Sequence, residues 1–267
     1  MFSTLFTTFE ILGTVAFAIS GAMVAIEKRV DLFGVLFLGF VTAMGGGVVR
    51  DITLGDFPPR MFRDSTNLLL ALSTSLVVFF LARLLQSRYI NNEILIEQIN
   101  NVFDALGLGA FSVTGARVAI EAGYGHNVTL ILFMGMTTAI GGGILRDLLI
   151  REIPFVLKKR IYAVASLCGS FLYWACWEMQ AGEETAVLAG VLFTFLLRML
   201  ATYFKWDLPK AIRKNKKAAA PLQGTAAFLL FGWLITALFL PAAFPPDGSL
   251  LPHSRHSFSG SHRYPRP

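Results

Sequence analysis

The sequence predicts an all-α polytopic membrane protein, built as two inverted three-helix repeats plus a seventh span, with a candidate eighth apolar segment. Three observations carry this. Hydrophobic residues make up 55% of the 267-residue chain and charged residues only 15%, against about 25% charged in a soluble domain. Mean hydropathy is +0.62, and the charges bunch between apolar runs close to the ~20 residues that cross a bilayer. One short sentence is also written twice, as Gly45-Gly46-Gly47-Val48-Val49-Arg50-Asp51 and Gly141-Gly142-Gly143-Ile144-Leu145-Arg146-Asp147.

The first span covers residues 9–26. Its Ala18-Ile19-Ser20-Gly21 stretch resembles a signal-peptide cleavage site, but no basic residue precedes it and the segment recurs in mid-chain. Phe9-Glu10, Gly13, Phe17 and Ser20-Gly21-Ala22 match Phe103-Asp104, Gly107, Phe111 and Thr114-Gly115-Ala116 at an offset of 94. The first helix is therefore expected to be retained. The second span runs from residue 33 through the first glycine triplet, and its partner starts near residue 128. Phe37, Gly39, Thr42, Arg50, Asp51 and Pro58 are answered there by Phe133, Gly135, Thr138, Arg146, Asp147 and Pro154, at an offset of 96. The two extra residues fall in a connecting loop, where insertions are tolerated. The third spans, 67–85 and 161–177, share only apolar character, and a seventh span, 186–204, has no partner.

Three spans per repeat is an odd number, so the second repeat must enter the membrane from the opposite face. Inverted repeats place their solute path near the midplane, between corresponding helices of the two halves. The expected division is 1–90 and 91–180 for the repeats, 181–208 for the seventh span and 209–223 for a basic linker. A candidate extra span at 224–244 and a disordered tail at 245–267 follow, the tail being rich in Pro, Ser, Gly and His.

The net charge of +6 needs no nucleic-acid partner, because Lys and Arg kept in cytoplasmic loops produce a basic chain by themselves. One side carries Lys28, Arg29, Arg88, Arg151, Lys158, Lys159, Arg160 and the basic linker. The other carries Arg50, Arg60 and Arg63, while its loop between spans six and seven has Glu178, Glu183 and Glu184 and no base. A multi-pass protein of the inner (plasma) membrane is expected, with its N-terminus outside and the end of span seven cytoplasmic. No enzyme is expected, since no zincin helix, nucleophile elbow or clustered His/Asp set is present. Neither a metal site nor a cofactor is indicated. Cys168 and Cys176 lie eight positions apart in one apolar run, ~12 Å along a helix, too far for a disulfide.

Each glycine in a helix interior costs roughly 1 kcal/mol relative to alanine, so the triplets Gly45, Gly46, Gly47 and Gly141, Gly142, Gly143 mark places that bend, unwind or approach something closely. Gly39, Thr42 and Gly46, repeated as Gly135, Thr138 and Gly142, form a small-residue stripe. It fits either tight helix packing or an opened helix whose carbonyls face a wet cavity. Arg50 and Asp51, with Arg146 and Asp147, either emerge at the interface or face a polar path, as embedded ionisable residues do. Neighbouring residues on a helix do not face each other, which predicts partners elsewhere, Glu10 and Asp104 being candidates. Ser20 and Thr114 sit mid-span, either bonding back to their own turn or offering weak oxygen ligands to a passing cation. Arg117 has Met23 as its repeat partner, so it is no requirement of the repeat and suits a gating or lipid-headgroup role.

The repeated Ser/Thr-Gly-Ala segment, the doubled Gly-Gly-Gly-x-x-Arg-Asp and the 3+3+1 arrangement resemble the prokaryotic branch of the trimeric intracellular cation channel family, over residues 1–208. The resemblance implies homotrimers in membrane lipid, a pore within each subunit, and second and fifth helices kinked at the triplets. It also implies passive transport of monovalent cations, K⁺ above Na⁺. Some members are described as glycine transporters, so a carrier of glycine or a similar zwitterion is the alternative. Eukaryotic relatives carry a basic lipid-binding motif in the fourth span, where this chain offers only Arg117.

The topology is directly testable. Single cysteines placed at Thr4 and Asn215, in a background lacking Cys168 and Cys176, are expected to label from opposite sides of intact cells. Labelling from one side would contradict an odd number of intervening spans.

Overall fold

The computed structural model describes residues 4–85, 93–158 and 161–204; the expectations for the basic linker, the eighth segment and the tail fall outside them. The described chain is helical: α1 (Thr4–Glu27), α2 (Leu32–Leu54), the short α3 (Arg60–Arg63), α4 (Thr66–Leu84), α5 (Glu93–Ala119) running into a π-turn (Ile120–Tyr124), α6 (Val128–Leu149), the short α7 (Phe155–Lys158), α8 (Tyr162–Glu178) and α9 (Glu183–Tyr203). Six helices are long and apolar enough to cross a membrane. At 17 residues, α8 is the short one. Spans one to three are thus α1, α2 and α4, spans four to six are α5, α6 and α8, and the unrepeated seventh is α9.

The second spans begin on matched caps. Asp31 Oδ1 accepts from Gly34 N at 2.8 Å and Asn127 Oδ1 from Leu130 N at 3.1 Å, each supplying the ~1 kcal/mol typical of an N-cap. They close on matched turns as well, with Gly55 at φ 72 in the first half and Arg151 at φ 58 in the second. Glycine occupies this left-handed position without a Cβ penalty, whereas arginine does not.

Corresponding helices of the two repeats cross each other antiparallel. A Cβ on Gly46 would stand 2.0 Å from Thr138 O, and one on Gly142 the same distance from Thr42 O. As one helix is followed forward, the other runs backward. The same holds for α1 and α5, where Gly13 faces Ala110 and Gly107 faces Phe17. Inversion, inferred from parity, is therefore visible as register. Contacts within the repeats are also duplicated: Gly21 lies on Leu38 O and Thr42 Oγ1, and Gly115 on Met134 O and Thr138 Oγ1.

Two expectations need correction. The triplets do not interrupt their helices, since α2 and α6 continue through them to Leu54 and Leu149. Packing compensates the weak propensity, because backbone-to-backbone approach recovers dispersion that a side chain would block. The third spans are also more alike than their sequences suggest. Ser75 on α4 packs on Gly39, and Ser170 on α8 packs on Gly135.

Outside this core, α4 buries only Ala71 and Ser75 and leaves Leu69, Val77 and Phe80 at least half exposed. Apolar residues turned outward are the normal surface of a helix in lipid.

The glycines of one triplet differ in what they contact, which gives a discriminating test. Gly46→Ala drives a methyl into the Thr138 carbonyl, so it is expected to lower the thermal midpoint in detergent by several degrees or to abolish recovery. Gly47 meets only Arg50 Nη2, at 3.7 Å. Gly47→Ala is therefore expected to be neutral or to stabilise by up to about 1 kcal/mol through helix propensity. Equal tolerance at both positions would contradict the close crossing.

Candidate functional site

The antiparallel crossing puts the C-terminal end of α2 at one end of the bundle and that of α6 at the other. Each ends in the repeated Arg-Asp pair, and a cavity lies at each end, against both Arg50 and Asp51 in the first half and against Asp147 in the second. The first cavity, of about 500 Å³, is walled by Glu10, Arg50, Asp51, Arg60, Asp64 and Glu121, and reaches inward to Met44, Gly47, Thr114 and Thr138. The second, of about 150 Å³, lies among Met23, Glu27, Lys28, Asn100, Asp147 and Phe155. The glycine crossing lies between them.

Arg50 and Asp51 are 6% and 2% exposed, so protein groups surround them. Nor do they seek distant partners: Arg50 Nε and Nη2 both donate to Asp51 Oδ1, at 2.9 and 2.7 Å. That corrects the expectation that neighbours on a helix cannot pair. A long arginine stem curls around the helix to the next carboxylate even though the two Cβ atoms diverge. The other oxygen, Asp51 Oδ2, accepts from Arg60 N at 2.9 Å, capping α3. Glu10 instead accepts from Asn67 Nδ2 at 3.4 Å.

The second half repeats this plan with one change. Arg146 Nε donates to Asp147 Oδ1 at 2.9 Å, and Asp147 Oδ2 accepts from Phe155 N at 2.8 Å, capping α7. But Arg146 Nη1 turns away from its helix and donates to Ser20 Oγ on α1 at 2.9 Å. It also lies 3.6 Å from Asp104 Oδ1, as a partner there was expected to do. Arg146 is wholly buried. Equivalent arginines thus have different surroundings: Arg50 is folded onto its own helix beside the larger cavity, and Arg146 is laid across the bundle above the smaller one.

Of the paired hydroxyls, Thr114 bonds back to Ala110 O at 3.0 Å, as Thr42 does to Leu38 O and Thr138 to Met134 O, at 2.6 and 2.7 Å. A hydroxyl that donates to its own helix keeps oxygen lone pairs for other groups. Ser20 departs from this pattern by accepting from Arg146. Arg117 is enclosed by protein groups: Glu121 Oε1 is at 2.8 Å, Glu183 Oε1 at 2.7 Å, and the Phe6 ring centroid 3.9 Å below its guanidinium. It therefore ties α5 to the starts of α1 and α9.

Two loop ion pairs frame the ends. At the larger cavity Arg63 pairs with Asp56, and this hydrogen bond holds the Asp56 carboxyl below its ordinary range. Its contribution is present above the ordinary carboxylate range and is lost only as pH falls through the lowered value. At the smaller cavity Lys28 pairs with Glu152, and the hydrogen bond raises the ammonium pKa.

Sequence reasoning missed Arg198 on α9, which is 3% exposed, and Tyr162 on α8, 2% exposed. The Arg198 guanidinium lies 5.1 Å from the Tyr162 ring centroid. An arginine inside the apolar run 186–204 was the available signal, since such residues are rarely placed in a span without a partner.

Known proteins share this arrangement. A family model described as Glycine transporter matches residues 7–83 and again 101–178, one match per repeat. The UPF0126 inner membrane protein YadS of Escherichia coli K12 is 39% identical over 201 residues, covering 75% of this chain and 93% of that protein. The UPF0126 membrane protein YvgT of Bacillus subtilis is 33% identical over 200 residues, covering 75% and 93%. Among solved structures, a TRIC cation channel studied for its conductance is 38% identical, with a TM-score of 0.68 over 80% of this chain and 98% of that one. The TRIC trimeric intracellular cation channel orthologue of Rhodobacter sphaeroides is 35% identical, with a TM-score of 0.68 over 76% and 100%. With both repeats matched and the whole fold shared, this chain belongs to the trimeric intracellular cation channel family, whose members include the UPF0126 membrane proteins and are also described as glycine transporters.

Proposed function

We propose that the chain is a monovalent cation channel, K⁺ favoured over Na⁺, with a path inside each subunit that runs along α2 and α6. The observation that carries this reading is the pair of polar cavities at opposite ends of the bundle, the larger of which reaches the glycine crossing at Gly47 and Thr138. The 34–38% identical TRIC channel structures support it. On this reading the subunits form a homotrimer in the inner membrane, with the apolar outer faces against lipid or one another. The N-terminus is outside, so the larger cavity faces out and the smaller faces the cytoplasm.

Carboxylates and hydroxyl oxygens at the larger cavity suit partly dehydrated monovalent cations, which need several weak oxygen ligands rather than one tight cage. Arg146 is the barrier. In a low-dielectric path a fixed guanidinium repels K⁺ by several kcal/mol at contact distance, and its bond to Ser20 holds it across the way. The resting path is open from one side and closed by Arg146 on the other. Gly45–Gly47 and Gly141–Gly143 act as close-packing pivots at the crossing, and Thr42, Thr114 and Thr138 line the approach. Arg50 and Asp51 form the outer pair, whereas Arg117 braces the outer end.

A second reading, a carrier of glycine or a similar small zwitterion, is favoured by the unequal cavities. One open and one closed end is also what alternating access requires.

Arg146→Ala is expected to raise passive K⁺ flux into liposomes about tenfold or more. Asp147→Asn, which leaves the arginine without its carboxylate, is expected to lower it. The carrier reading predicts saturable glycine uptake with little ion current, and loss of uptake in both variants. Unchanged K⁺ flux in Arg146→Ala would overturn the gate.

A further inference from the structure

Among the described residues the unrepeated span buries one charged side chain, Arg198. On α9 the Cβ position of Gly190 meets Val113, and Gly109 on α5 meets Val191 O. The two helices therefore run antiparallel in a register that brings Arg198 level with Asp104. Arg198 Nη1 donates to Thr202 Oγ1 at 2.9 Å, but its Nε and Nη2 are buried without a hydrogen-bond partner. Asp104 is fully buried too, and neither of its oxygens makes a direct hydrogen bond of good geometry. Its charge is answered at longer range by Arg146, 3.6 Å away, and by the neighbouring hydroxyl of Tyr162. That tyrosine ring stands under the Arg198 guanidinium.

We propose that Arg198 is a positioning residue for the Arg146 gate: it is the stand-in counter-ion for Asp104 that allows Arg146 to leave Ser20. This rests on the reading of Arg146 as the gate. When the Nη end of Arg146 joins its Nε on Asp147, as both Nε and Nη2 of Arg50 already lie on Asp51, Asp104 loses its nearest cation. In the first half that loss is harmless, because the equivalent Glu10 lines the larger cavity and accepts from Asn67 Nδ2. Asp104 has no such recourse, and a buried carboxylate stripped of its partner is strongly destabilising. Arg198 has two uncommitted donor nitrogens on the same level, and ordered water can bridge what the side chains do not span. Two arginines and two aspartates leave the cluster neutral in both gate positions. The seventh span thereby serves the half of the molecule whose carboxylate is sealed from solvent.

The test is single-channel recording of K⁺ currents from the full-length protein in planar bilayers. Arg198→Gln is expected to lower the open-state occupancy about a hundredfold, and Arg198→Gln with Asp104→Asn to restore it to the wild-type level or above, since no buried charge then needs replacing. A residue with a purely structural role would not be rescued by changing Asp104. Arg198→Lys keeps the charge but not the planar fork and is expected to fall between; if Arg198→Gln does not fold, Arg198→Lys carries the test, with relief by Asp104→Asn expected. Wild-type opening in the Arg198 variants, with Arg146→Ala still raising current, would overturn the counter-ion role and leave the gate intact. No change in Arg146→Ala would overturn the gate itself.

Discussion

The structure depends on one contact made twice: the bare Cα of Gly46 against the Thr138 carbonyl, and that of Gly142 against the Thr42 carbonyl. Two helix backbones that approach so closely fix their crossing point and register together, because no side chain is available to adjust either. Everything polar is placed from there. One turn beyond the crossing each helix presents its Arg-Asp pair, and because the helices are antiparallel the pairs come out at opposite ends. The carboxylate of each pair then reaches past its own helix to cap the next short one, at Arg60 N and Phe155 N. Each end of the bundle is thus built by the same three residues doing the same work.

Against that symmetry the differences stand out. Arg50 gives both its donating nitrogens to Asp51, while Arg146 divides its own between Asp147 and Ser20. The larger cavity lies beside the first and the smaller beside the second. The unrepeated α9 and the unmatched Arg117 both act on the second repeat, Arg117 through Glu183 at the start of α9 and Arg198 through Tyr162. An inverted repeat supplies two equivalent half-sites, and the added residues contact the second repeat's side of them. Buried charge is costly in a membrane, and most of the groups that carry the asymmetry are paired, Arg146 with Asp147 and Ser20 and Arg117 with Glu121 and Glu183.

Much of this was legible in the chain. Class, repeat, inversion and the start of α6 at Val128 follow from hydropathy, offset and parity, because those properties are additive along a sequence. The role of the triplets was only half legible. Glycine signals weak helix and close approach equally, and the contact with a carbonyl ninety-odd residues away decides between them. Of the Arg-Asp pairs, the reach of Arg146 to Asp104 was legible, whereas the pairing of neighbours was not, because Cβ directions do not limit a flexible guanidinium. Equivalence of α4 and α8 was invisible, since it rests on Ser75 and Ser170 alone amid freely varying lipid-facing residues. Arg198 could have been flagged as an arginine inside a span, though its partners on α5 and α8 are set by tertiary register.

The central claim is that equivalent positions in the two halves see unequal access, open at Thr114 and closed at Ser20 by Arg146. Cysteine accessibility measures it. With native cysteines removed, Thr114→Cys should react with a membrane-impermeant thiol reagent from the side of the larger cavity. Ser20→Cys should stay protected from both sides until Arg146 is replaced by alanine, and should then react from the opposite side. Equal reactivity of the two cysteines in the presence of Arg146 would contradict the account.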